Sequence, residues 1–160
     1  MPKPVIVCDI DMTLVDDTER RSRAHSLGMN GWLLSYFVPS TLRMDKPIPS
    51  AIASLKVFAD FFDIIYLTNR TESMRQETEA FFSANGYPHG TFMMHPNTLL
   101  FDPNFKVKRM KELLASGRKI AKAYDDEEVY VNDYRRLGVN TYRVTDLGVW
   151  DTVLAEISPP

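Results

Sequence analysis

Apolar and polar positions along the chain form short unbroken apolar runs separated by stretches of helical period. Val5-Ile6-Val7-Cys8 leads straight into Asp9-Ile10-Asp11, as a strand buried on both faces of a parallel sheet would. Three runs resemble it: Asp63-Ile64-Ile65-Tyr66-Leu67, left through Thr68-Asn69-Arg70; the shorter Thr91-Phe92-Met93-Met94; and Ile120-Ala121-Lys122-Ala123-Tyr124, ending in Asp125-Asp126. A fifth spans 139–144. Between them the apolar residues recur at helical spacing. One helix starts at Ser50 as N-cap and carries Ile52, Leu55, Ala59 and Phe62. A second covers 72–84 with Met74, Thr78, Phe81 and Phe82 on one face. A third covers 106–115 with Met110, Leu113 and Leu114 inward, and a fourth 128–137 with Tyr130, Tyr134 and Leu137. A last short helix is expected over 150–157. This alternation predicts an α/β fold: a Rossmann-like, parallel five-stranded sheet with helices on both faces.

Residues 15–48 interrupt the pattern. A charged turn precedes Leu27, Trp32, Leu33, Leu34, Tyr36, Phe37 and Val38, which Gly28 and Gly31 break into short pieces. The segment is too short for a large second domain. The reading is therefore one domain over 1–160 with a small or absent helical cap at about 15–48, its aromatics either closing over a site or packing on the sheet edge.

Composition narrows the classes. A formal charge of −2 supplies no general field for nucleic acid or an anionic membrane, so a polyanion would need a local basic patch. A lone cysteine, Cys8, excludes an internal disulfide framework. It sits inside an apolar run, where a packed, inert thiol is expected. The N-terminus carries no signal-peptide pattern and no segment reaches membrane-spanning length, so the expectation is a soluble, cytoplasmic protein with no membrane partner. The Gly-x-x-x-x-Gly-Lys-Ser/Thr loop is absent, so no nucleoside triphosphate cofactor is expected.

The chemistry follows from the topology. Ligands of open parallel sheets bind outside the carboxyl ends of the strands, where Asp9, Thr68 and Asp125 all stand. Period-two alternation points Asp9 and Asp11 the same way. Like charges so close call for a cation, a shared proton or open solvent. With Asp125 and Asp126 added, an all-oxygen donor set favours Mg²⁺; the three histidines show no metal-ligand spacing. Thr68 adds a hydroxyl donor and Lys108, with Lys106 as its rival, a fixed positive charge, which together suit a phosphoryl group.

Asp9-Ile10-Asp11-Met12-Thr13, Leu67-Thr68-Asn69-Arg70, a downstream lysine and Tyr124-Asp125-Asp126 resemble the four motifs of the haloacid dehalogenase-like phosphohydrolases. The run from Ala123 to Val139, with Lys108 before it, and Asp45-Lys46-Pro47-Ile48-Pro49 resemble in particular the phosphatase domain of phage polynucleotide kinases. The resemblance implies Asp9 as nucleophile and Asp11 as general acid and base. It implies Thr68 and Lys108 at the phosphoryl oxygens, and Thr13, Asn69 and Arg70 as substrate-binding residues. It implies Mg²⁺ held by Asp9, the Asp11 carbonyl and the Asp125-Asp126 pair. Three positions depart from the relatives: Met12 and Asn69 where glycine is common, and Glu127 where the polynucleotide phosphatases have arginine. The implied substrate is a phosphorylated one, a nucleic-acid 3′-phosphate end in the first instance, a nucleotide or other small phosphomonoester in the second. A non-catalytic phosphate-binding protein of the same fold is the reading from outside the enzymes.

Overall fold

The computed structural model describes the chain except residues 29–31, 33, 34, 98–100 and 158–160. Five strands form the main sheet: β1 (Val5–Cys8), β4 (Asp63–Thr71), β5 (Thr91–His95), β6 (Ile120–Asp125) and β7 (Thr141–Arg143). Their order is β5-β4-β1-β6-β7 and every pairing is parallel. The central place of β1 explains its uninterrupted apolar run. Its residues pair with Asp63 to Tyr66 on one side and with Ile120 to Tyr124 on the other.

Alternation along the strands splits the core into two layers. Ile6, Cys8, Ile64 and Tyr66 face α2 (Pro49–Ala59), α3 (Arg75–Ala84) and α6 (Val149–Ile157). Val5, Val7, Ile65, Leu67 and Ala123 face α4 (Phe105–Ala115) and α5 (Glu128–Arg136). The expected architecture, a parallel sheet covered by helices on both faces, is the observed one. Cys8 is fully buried, and burial with the neighbouring Asp9 pushes its thiol well above the ordinary range. Among the described residues no helix is long and apolar enough to cross a membrane.

Local boundaries depart from the sequence reading in instructive ways. Helix α2 starts at Pro49, so Ser50 is no cap but lies in the first turn, its carbonyl accepting from Ser54 Oγ at 2.8 Å. Proline suits that start because its missing N–H would have no helical partner. The helix expected over 72–84 opens as a separate tight turn, Glu72–Met74, before α3. Strand β4 runs four residues past Leu67, so Thr68, Asn69 and Arg70 belong to the strand itself. Leu114, expected inward, is exposed.

Residues 15–48 pair β2 (Val15–Asp16) with β3 (Lys46–Pro47) as a two-stranded antiparallel ribbon. Between them lie α1 (Thr18–Ser26) and a tight helical turn, Pro39–Met44. Trp32 stacks on Tyr36 with ring centroids 4.4 Å apart, and Phe37 meets Tyr36 edge-on. Leu33 and Leu34, part of the same apolar cluster in sequence, lie outside the described residues.

Candidate active site

The loop leaving β1 is wound tightly: the Leu14 and Val15 N–H groups both donate to Ile10 O, and Met12 N–H donates to Val15 O. Met12 takes a left-handed backbone conformation, φ 56°, the geometry glycine enters most readily. The loop is fixed from below by α6, whose Trp150 Nε1 donates to Thr13 O at 2.6 Å. Thr13 Oγ1 in turn donates to Asp9 Oδ2 at 2.8 Å and lies 3.4 Å from Asp126 Oδ1. Thr13, expected to bind substrate, is fully buried; it orients two carboxylates instead.

Asp9, Asp125 and Asp126 converge, each offering a carboxylate oxygen within 4.8 Å of the others. Among the described residues one ammonium bonds two of them. Lys106 Nζ donates to Asp9 Oδ1 at 2.9 Å and to Asp125 Oδ2 at 2.5 Å. Burial works against the lysine's charge, but Asp125 and Asp9 hold its proton far more firmly than that of a free lysine. The carboxylates remain in excess. Burial, reinforced by Asp9, pushes Asp125 up to about 7 and Asp126 up to about 9. Three convergent carboxylates, partly neutralised by the Lys106 ammonium, fit a hard divalent cation.

Lys108 does not take part. Its Nζ pairs with Asp102 at the exposed surface. Two residues along a helix turn a side chain by about 200°, so Lys106 and Lys108 cannot serve one site. Lys106 lies four residues before Met110 and seven before Leu113, on the buried face of α4. That periodicity identifies it from the sequence.

Asp11 has a different surrounding. Its carboxylate is gripped by Arg70 (Nη2 at 2.7 Å, Nε at 3.1 Å) and by Arg20 Nη2. Both arginines also bond Asp45, Arg20 Nε at 2.8 Å and Arg70 Nη2 at 2.7 Å. Arg70 reaches Thr78 and Arg20 reaches Tyr36 O, so each guanidinium is committed to the fold. Burial opposes ionisation of Asp11, yet Arg70 and Arg20 hold its carboxyl well below the usual carboxylate range. Arg70, expected to bind substrate, is fully buried and serves Asp11 and Asp45 instead. The Asp11 side chain stands outside the three-carboxylate cluster, which leaves its main-chain carbonyl as the group it could offer a metal.

A cavity of about 280 Å³ opens over these groups. Asp9, Asp11, Thr68, Asn69 and Lys106 form one side; Trp32, Tyr36, Phe37 and Phe101 supply an aromatic wall. Glu127, at the mouth, has its proton affinity raised by burial. Arg20, Asp45 and Tyr130 complete the arrangement, and none was among the expected site residues. Arg20 lies within a run of charges that reads as a solvated turn, and Tyr130 within an ordinary helical face.

The family model described as PITM 1-3, LNS2 domain, matches residues 6–148. Among solved structures, a chain of the Pnkp1/Rnl/Hen1 RNA repair complex superposes with a TM-score of 0.67 at 21% identity, over 88% of this chain and 42% of that one. The haloacid dehalogenase-like hydrolase SP0104 of Streptococcus pneumoniae gives 0.65 at 14% identity, over 98% and 91%. A haloacid dehalogenase-superfamily hydrolase of Ehrlichia chaffeensis gives 0.54 at 10% identity, over 99% and 100%. The chain spans less than half the length of the RNA-repair chain. No curated protein sequence matches it.

Proposed function

The chain belongs to the LNS2-domain family and has the haloacid dehalogenase-like phosphatase fold, and from that premise we propose that it is a Mg²⁺-dependent phosphomonoester hydrolase acting through an aspartyl-phosphate. The observation that carries the reading is Lys106 bridging Asp9 and Asp125 at the carboxyl ends of β1 and β6, with Asp126 close by and Thr68 lining the same cavity. Mg²⁺ held by Asp9, Asp125, Asp126 and the Asp11 carbonyl would screen the repulsion between carboxylate and phosphate.

An Asp9 oxygen attacks phosphorus, the bond from phosphorus to the ester oxygen breaks, and that oxygen leaves with a proton. Thr68, Asn69 and Lys106 face the phosphoryl oxygens and stabilise charge developing there. Water then attacks phosphorus, releasing phosphate and restoring Asp9. Asp11, kept ionised by Arg20 and Arg70, is suited to take the proton of that water. A phosphate dianion bound beside Asp11 raises its proton affinity against the pull of the arginines, which lets the same carboxyl supply the leaving oxygen.

For the substrate we infer a nucleic-acid 3′-phosphate end, supported by the resemblance of residues 123–139 and 45–49 to the phosphatase domain of phage polynucleotide kinases and by the structural likeness to a chain of the Pnkp1/Rnl/Hen1 RNA repair complex. Glu127 at the mouth of a small cavity favours a second reading, a nucleotide or other small phosphomonoester, because its charge opposes the approach of a polyanion. Hydrolysis of an aryl phosphate with Mg²⁺, abolished in Asp9→Asn, tests the activity. Oligonucleotides bearing a 3′-phosphate, compared with mononucleotides at equal concentration, test the substrate: a clear mononucleotide preference overturns the first reading.

A further inference from the structure

Tyr130, in the first turn of α5, touches two of the groups assigned to the phosphate. Its hydroxyl accepts a hydrogen bond from Asn69 Nδ2 at 2.9 Å. Lys106 Nζ stands 4.4 Å from the centroid of its ring. Tyr130, Asn69 and Lys106 line the same cavity. The other end of the Asn69 amide, Oδ1, is buried and finds no hydrogen-bond partner among the described residues. A tyrosine hydroxyl both donates and accepts, so the amide turned end for end keeps its bond to Tyr130 and exchanges an unpartnered acceptor for an unpartnered donor. Beside an anion site such a donor gains a charge-assisted bond when a phosphoryl oxygen arrives. The electron-rich ring face meanwhile restrains the Lys106 ammonium.

We propose that Tyr130 is a positioning residue for phosphate: it orients the Asn69 amide to donate to a phosphoryl oxygen and holds Lys106 in step with it. The inference rests on the phosphatase reading above. Tyr134, one turn further along α5, supplies the control, because it too is buried but its hydroxyl has no partner among the described residues.

The test uses the whole chain and two readouts, kcat/KM for an aryl phosphate with Mg²⁺ and calorimetric affinity for inorganic phosphate. Tyr130→Phe and Asn69→Ala are each expected to lower both by about tenfold, the loss of one bond to a charged group. The double variant should lose no more than Asn69→Ala alone, since the hydroxyl acts through the amide. Tyr130→Leu, which also removes the ring, should fall about tenfold further, while Tyr134→Phe should match the wild type. Wild-type behaviour of Tyr130→Phe, multiplying losses in the double variant, or an equal loss in Tyr134→Phe overturns the proposal. Should Tyr130→Phe not fold, Asn69→Ala decides by phosphate affinity, and an unchanged affinity overturns it. A wild-type chain that neither turns over the ester nor binds phosphate overturns the phosphatase reading instead, and the inference with it.

Discussion

Lys106 sits between two carboxylates that would otherwise confront each other in a buried space. Lys106→Ala is expected to lower kcat by about 10²–10³, the usual loss on removing a group that stabilises developing charge. Lys108→Ala, at the surface with Asp102, should leave steady-state kinetics unchanged. A second expectation concerns the arginines around Asp11. Arg70 and Asp45 are both buried, and removing one member of a buried ion pair strands its partner. Arg70→Ala should therefore cost about 3–5 kcal/mol of stability by denaturant titration, as well as activity. Met12 offers the opposite case. Its left-handed backbone is strained for a residue with a β-carbon, and Met12→Gly should stabilise the chain by up to about 1 kcal/mol, visible as a higher Tm.

At the scale of elements, α6 is tied to the site although no side chain of it enters the cavity. Trp150 packs on Tyr124 and donates to Thr13 O, and Thr13 orients Asp9. Trp150→Phe keeps most of the packing but leaves that carbonyl without its donor, an expected loss of about 1–3 kcal/mol. Turnover should fall with it, because the Thr13 hydroxyl loses its fixed direction; a kcat equal to wild type would separate the helix from the chemistry. The edge of α4 carries a related lesson. Helical phase, not the spacing to Asp125, decides which lysine enters the site, and the phase was already visible in Met110 and Leu113.

For the molecule as a whole, the order of strands and helices was legible because β1 and the buried part of β4 are continuous apolar runs and the helices between strands have periodic faces. Asp9, Thr68, Asp125 and Asp126 were legible for the same reason: they sit where apolar runs end. The pairing of Arg20 and Arg70 with Asp11 and Asp45 was not, because it joins α1, β4 and a loop through contacts that no local pattern encodes. The carboxylate cluster also sets a response of the entire fold to pH. With no divalent cation, Asp125 at about 7 and Asp126 at about 9 keep protons that the unfolded chain gives up near 3.8. The native state then binds more protons, so stability falls as pH rises from the ordinary carboxylate range through those values. Melting in a chelator should show this decline. Excess Mg²⁺ should counter it increasingly toward high pH, because a metal needs the ionised carboxylates; parallel curves with and without Mg²⁺ would argue against a cation at this place.

The central position of β1 bears on how the protein is made. A ribosome delivers Val5–Cys8 before the other strands of its sheet, and one flanking strand, β6, begins only at Ile120. Until that neighbour emerges, four apolar residues remain without one of their partners, a sticky edge open to chaperones or to other nascent chains. Pausing or truncation of synthesis between β4 and β6 should therefore yield aggregates, and the acidic residue that follows those four meets Asp125 and Asp126 only once β6 has emerged.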